Sequence, residues 1–181
     1  TGNLLTRTRL SGAFTYPGTQ AARPHAPLTL GSRTFTYDAN GNTTYDGHRA
    51  LVWDEANRLA KVTMQTSQVI DYVYGPDGAR AKKTHQFGAT LYPSADVEID
   101  DTLATSDAYT RYPHMDIKVV GYNVFFLHRD HLSSVRTVTN ASGAGQETTA
   151  YAAYGERTNA SFDTQKCYIG ERYDPETGLL Y

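Results

Sequence analysis

The sequence predicts an all-β fold assembled from short hairpins. Three observations lead there. Tyrosine is abundant, with 14 in 181 residues against one Trp and two Met. Gly, Asn and Asp, which favour turns, stand beside those aromatics, which favour half-buried pleated surfaces. The apolar residues also alternate over short runs, with no sustained recurrence at helical spacing.

Taken in chain order, Asn40-Gly41 is a strong hairpin signal, and it predicts a type I′ turn with positive φ at both central residues. Leu59 to Gln65 alternates, setting Val62 and Met64 opposite Lys61, Thr63 and Gln65. Val69 to Tyr74 does the same, with Ile70, Tyr72 and Tyr74 on one face and Val69, Asp71 and Val73 on the other. Pro76-Asp77-Gly78 marks a second turn. Gly, Pro and Thr interrupt the windows in which a helix could form, and the best helical stretch, Asp54 to Leu59, is only about a turn and a half. Helix content should be low.

Composition narrows the function. A hydrophobic fraction of 39% in 181 residues suits one core. The 17 basic and 19 acidic residues give a net charge of −2 and are well mixed, so no nucleic-acid partner is expected. The longest apolar stretch, Val119 to Leu127, is broken by Gly121 and Asn123. It falls far short of the roughly 20 residues of a membrane helix, so no membrane span is expected. No charged-then-apolar leader is visible at the start. Cys167 is the only cysteine, so no intrachain disulfide can form, and a buried, inert thiol is expected.

A repeat organises the first half. An aromatic, a turn and a basic-polar strand recur at Tyr37-Asp38-Ala39-Asn40-Gly41-Asn42, at Trp53-Asp54-Glu55-Ala56-Asn57-Arg58-Leu59, and at Tyr74-Gly75-Pro76-Asp77-Gly78-Ala79-Arg80. Gly2-Asn3-Leu4 matches the end of such a unit. A strand-turn-strand unit cannot bury its own face and must stack on a neighbour.

These units resemble the YD repeats of bacterial Rhs proteins. A second block supports the resemblance: His128-Arg129-Asp130-His131-Leu132-Ser133-Ser134-Val135-Arg136 is similar to the Asp-His-Leu-Gly-Ser-x-Arg stretch of the Rhs-associated core, with Ser133 where glycine is usual. Tyr154-Gly155-Glu156 resembles its Phe-Gly-Glu. The segment Tyr168 to Tyr181, containing Tyr173-Asp174-Pro175-Glu176-Thr177-Gly178-Leu179, resembles its closing motif.

The resemblance implies YD hairpins wound into a curved sheet that forms part of a hollow β-shell, with YD repeats over residues 1–86, a less regular connecting segment over 87–127, and core motifs over 128–181. It implies structural roles throughout. Tyr37, Trp53, Tyr72 and Tyr74 would pack between strands, Gly41 and Gly78 would supply positive φ, and Asp38, Asn42 and Asn57 would tie turns through side-chain hydrogen bonds. Asp54, Arg58, Asp130, His131, Arg136, Gly155, Gly170, Tyr173, Asp174 and Gly178 complete the motif positions.

Three features invite chemistry, and each has a plainer reading. Asp96, Glu98, Asp100 and Asp101 offer hard oxygen ligands but lack calcium-loop spacing, so a solvated strand and turn is expected. His128, Asp130 and His131 are poorly spaced for a metal or for acid-base work. Asp174-Pro175-Glu176-Thr177-Gly178-Leu179 is similar to the self-cleavage context of Rhs proteins but carries an extra residue before the glycine, so no catalytic aspartate is placed on it. No catalytic residue, metal or cofactor is therefore expected.

The first function these observations support is a shell segment of a secreted or cell-surface bacterial protein, with the rest of the shell and an enclosed C-terminal polypeptide as partners. The alternative is a carbohydrate-binding module recognising cell-surface glycans through exposed aromatics. An enzyme ranks third. The open ends of the repeat array add an expectation of edge-mediated self-association.

Overall fold

The computed structural model describes residues 2–104, 106–159, 162 and 164–181. They form two compact units, 1–72 and 73–181.

In the first unit, β1 (Phe14–Thr15), β2 (Thr29–Leu30) and β3 (Arg33–Thr34) make a small sheet in that order. A meander follows: β4 (Thr36–Tyr37), β5 (Thr43–Tyr45), β6 (Arg49–Trp53), β7 (Leu59–Met64) and β8 (Val69–Tyr74), the last of which spans the boundary. Neighbours pair antiparallel, and Leu51, Val62 and Ile70 fall in register on the buried side. The alternation read from the sequence in β7 and β8 is the burial pattern observed: Val62, Ile70 and Tyr72 are buried, and Lys61, Val69 and Val73 are exposed.

In the second unit, β9 (Arg80–His85), β10 (Gly88–Ser94), β11 (Val97–Asp100), β12 (Tyr109–His114), β13 (Ile117–Val120), β14 (Asn123–Arg129), β15 (Val135–Asn140) and β16 (Gly145–Thr148) continue as an antiparallel meander in sequence order. Residues 87–127, expected to be less regular, hold β10 to β13 and most of β14. Beyond β16 the chain crosses one face of this sheet. Its described residues carry a 3₁₀ turn (Tyr168–Gly170), the short pair β17 (Tyr173–Asp174) and β18 (Leu179–Leu180), and the isolated bridges Tyr151–Arg157 and Lys166–Arg172. That crossing builds the core, where Tyr112, Leu127, Val135 and Val138 of the sheet meet Phe162 and Cys167.

The hairpin at Asn40-Gly41 differs from expectation. Gly41 has φ +95°, while Asn40 does not adopt positive φ. Gly41 N–H donates to Asp38 C=O at 3.2 Å and Asp38 N–H to Asn42 C=O at 3.0 Å. This is a three-residue hairpin loop with one left-handed residue, not a two-residue type I′ turn. The Asp38 carboxylate explains the choice: it accepts from Asn42 N–H at 2.9 Å, which favours a wider loop closing over the side chain.

Candidate functional site

The same loop recurs. At Asp54, Met64, Gly75, Asp130, Asn140 and Ala152, the first residue's N–H donates to the carbonyl four residues on, and its own carbonyl accepts from the N–H three residues on. The fourth residue is left-handed each time: Asn57, Ser67, Gly78, Ser133, Gly143 and Gly155. Ser133 thus takes the conformation at the place where the resembling motif has glycine.

Where the first residue is Asp or Asn, its side chain clamps the loop. Asp54 accepts from Ala56 and Arg58 N–H, both at 2.9 Å, and from Arg58 Nε at 2.8 Å. Asp130 accepts from Leu132 N–H at 2.9 Å and Ser134 N–H at 3.0 Å, with Arg136 at 3.5 Å. Asn140 does likewise towards Ser142 and Ala144, both at 3.0 Å. The Asn42 side chain holds the Asp38 carboxylate below its ordinary pKa, and the Arg58 N–H does the same for Asp54. At Asp130, burial pushes upward but the donated hydrogen bonds prevail, so this carboxylate is also lowered.

Asn57 was expected to tie its own turn. It is instead the left-handed residue, with φ +58°. Its side-chain oxygen accepts from Asn40 Nδ2 at 2.9 Å and Asn42 Nδ2 at 2.7 Å, so it joins one loop to the preceding one. Of the four aromatics expected to pack between strands, Tyr72 is buried and Tyr37, Trp53 and Tyr74 are only partly covered. Tyr37 donates to Pro27 C=O at 2.8 Å and Trp53 Nε1 to Thr43 C=O at 2.7 Å. Tyr74 lies 6.4 Å from the ring of Tyr181.

A second cluster, which sequence reasoning missed, ties the closing motif to the sheet. Asp174 is fully buried and its two oxygens accept from Arg80 Nη1 at 2.9 and 2.8 Å, with Lys83 Nζ 3.6 Å away. Lys83, 2% exposed, donates to both Glu176 oxygens at 3.1 and 2.9 Å, and His85 stands 3.8 Å from the same carboxylate. The Arg80 guanidinium stacks 3.7 Å above the Tyr181 ring. Burial alone would pull the Lys83 ammonium down, but Asp174, Tyr92 and Glu176 hold it above its ordinary pKa. Arg172 reaches back to Glu98 at 2.7 Å and Lys166 to Asp96 at 3.0 Å. The acidic stretch expected to be solvated therefore includes a buried member, Glu98, drawn in by Arg172. Its other members hold the chain locally, with Asp100 accepting from Thr102 N–H at 2.9 Å and Asp101 from Ala89 N–H at 2.5 Å.

The remaining motif positions fit around this docking. Gly155, with φ +86°, faces the Tyr168 ring so closely that a Cβ would stand 2.5 Å from it. Tyr173 lies under the Arg157 guanidinium at 3.9 Å. Gly170 and Gly178 are left-handed, and Gly178 N–H donates to Asp174 C=O at 2.7 Å. His131 is exposed in its loop, while His128 contacts Thr139 at 3.0 Å. Among the described residues no group of three His, Cys, Asp or Glu side chains is placed to hold a metal ion, and no helix is long and apolar enough to cross a membrane.

These parts make an antiparallel sheet of clamped loops with an ion-paired closing segment. No family model matches the chain. It is 29% identical over 167 residues to the tRNA(Glu)-specific nuclease WapA of Bacillus subtilis subsp. natto, covering 84% of this chain and 7% of that protein. It is 29% identical over 168 residues to the tRNA3(Ser)-specific nuclease WapA of Bacillus spizizenii, with the same coverage. The chain thus spans about 7% of the length of these relatives. Its fold is similar to a part of the Photorhabdus luminescens Tc holotoxin pore structure carrying the mutation TccC3-D651A, with a TM-score of 0.68 at 16% identity over 93% of this chain and 11% of that one. A TcdB2-TccC3 structure without its hypervariable C-terminal region gives a TM-score of 0.59 at 15% identity over the same shares. These likenesses support an Rhs-type reading of the sequence motifs.

Proposed function

We propose that this chain is a wall segment of an Rhs-type toxin, secreted or displayed at the cell surface, in which YD-type hairpins form part of a shell around a C-terminal polypeptide. The observation carrying this reading is the fold match to a TcdB2-TccC3 structure that lacks its hypervariable C-terminal region. The portion shared with this chain is therefore not that region. The sequence relatives argue the same way, since two proteins named for different tRNAs are each 29% identical to this chain over 167 and 168 residues. The matched stretch is then not what distinguishes their substrates, and a nuclease activity would belong elsewhere in such proteins.

The structural roles follow. Asp38, Asp54 and Asp130 fix loop geometry so that strand register is inherited from one hairpin to the next, and Asp174 with Glu176 seats the closing motif. The half-buried Trp53, engaged through its Nε1, is a poor stacking platform for glycans, which favours the wall over the carbohydrate-binding alternative. The test is protease protection in the whole gene product bearing a C-terminal epitope tag. The tag should survive trypsin in the native protein and be lost when Asp54→Ala and Asp130→Ala loosen the loops. Equal loss in both proteins would rule out enclosure.

A further inference from the structure

The first unit contains a polar cleft that the wall role does not use. It has a volume of about 580 Å³ and is lined by Ser11, Ser32, Arg33, Tyr45, His48 and Gln65 among others. That is within the usual range for small-molecule sites. Its geometry is held by the backbone. Asp46-Gly47-His48-Arg49 is a tight turn in which Gly47 has φ +86°, and the Arg33 stem lies so close that a Cβ on Gly47 would stand 2.5 Å from Arg33 Cβ. Gln65 Nε2 donates to Gly47 C=O at 3.0 Å and reaches Tyr45 Oη at 3.4 Å, bracing the opposite wall.

The charges are one-sided. Among the described residues no Asp or Glu lines the cleft. The nearest carboxylate in sequence, Asp46, is committed to His48 N–H at 3.0 Å, Arg49 N–H at 2.8 Å and Arg49 Nε at 2.6 Å. Asp38 and Asp54 are closed inside their loops, and Asp71 pairs with Lys61 at 3.2 Å. Residues 1–72 carry seven Lys and Arg against five Asp and Glu, the reverse of the balance in the whole chain. Arg33, a half-buried residue, is the cation lining a concave site whose other polar side chains are hydroxyls, a phenol, an imidazole and an amide. A guanidinium in such surroundings matches an oxyanion, with the neutral groups left to hydrogen-bond a polyhydroxylated body.

We infer that this cleft binds a phosphate monoester of about monosaccharide size, with Arg33 holding the phosphate. The probe is glucose 6-phosphate, titrated by calorimetry into the full chain, with glucose and inorganic phosphate as comparisons. Glucose 6-phosphate should bind more tightly than either comparison, and Arg33→Gln should weaken it at least about tenfold while the thermal midpoint stays near that of the parent. Lys61→Gln removes an exposed cation of the same unit outside the cleft and should leave binding unchanged. The inference is overturned if glucose 6-phosphate fails to bind, if glucose binds as well, or if Lys61→Gln costs as much as Arg33→Gln, which would mean diffuse charge attraction.

Discussion

Replacing Asp174 by Asn keeps the size of the side chain and removes its charge. The structure makes the consequence large. Asp174 has no exposure, and it faces an Arg80 guanidinium and a Lys83 ammonium whose side chains are 3% and 2% exposed. Removing one member of a buried ion pair typically costs about 3–5 kcal/mol, because the partner is left charged and dry. Lys83 keeps Glu176, so the lower end of that range, about 3 kcal/mol, applies. In a unit spanning residues 73–181 each kcal/mol moves the midpoint by roughly 4 °C, so a fall of about 12 °C is expected in a thermal melt followed by circular dichroism. The comparison is Asp71→Asn, which breaks an ion pair with Lys61 whose side chains are 46% and 48% exposed and should cost less than about 1 kcal/mol. Equal, small losses in the two variants would refute the idea that the ion network seats the closing motif.

Gly155→Ala and Gly143→Ala both place a side chain at positive φ, but only the first meets an aromatic ring, since nothing lies within 4 Å of Gly143. Urea melts should show about 1 kcal/mol lost at Gly143 from backbone strain and at least about 2–3 at Gly155. Asp38, Asp46, Asp54 and Asp130 all have lowered pKa values in the fold. At Asp46 the upward push of burial is outweighed by the Arg49 side chain and the donated N–H groups. Their stabilisation is thus complete above the unfolded carboxylate range and disappears as pH falls through the lowered folded values, so the thermal midpoint should hold from pH 7 to about 5 and drop towards pH 3. Cys167 is fully buried, with its thiol pKa pushed up by that burial; it should resist a thiol reagent in the native chain and react at once in urea. The sheet meanders end at β4 and β16, and pairing at either edge should raise the scattering mass above 20 kDa as concentration increases, whereas a constant mass would show both edges closed.

Much of the strand pattern was legible because it is local. Alternation places Val62, Ile70 and Tyr72 inward without knowledge of any distant residue, and Gly41 and Gly78 signal positive φ by lacking a Cβ. What could not be read depends on residues far apart or on competition within a loop. Lys83 and Glu98 look like solvated strand charges until Glu176 and Arg172, 93 and 74 residues away, fold over them. Asn57 looks like another turn-tying amide, because asparagine serves both as a hydrogen-bonding side chain and as the residue most tolerant of left-handed backbone after glycine. Its spacing from Asp54, matching that of Gly41 from Asp38, was the signal available for the second role. The Asn40-Gly41 turn was misjudged because the dipeptide rule ignores Asp38, whose carboxylate captures Asn42.

The most direct test of the wall account is a cryo-electron microscopy map of the whole gene product that contains this chain. The account predicts that the antiparallel ladder continues past β4 and β16 into neighbouring strands of one closed wall, with a separate polypeptide density inside it. A map in which both strands end at solvent and this chain stands apart as a free domain would contradict it.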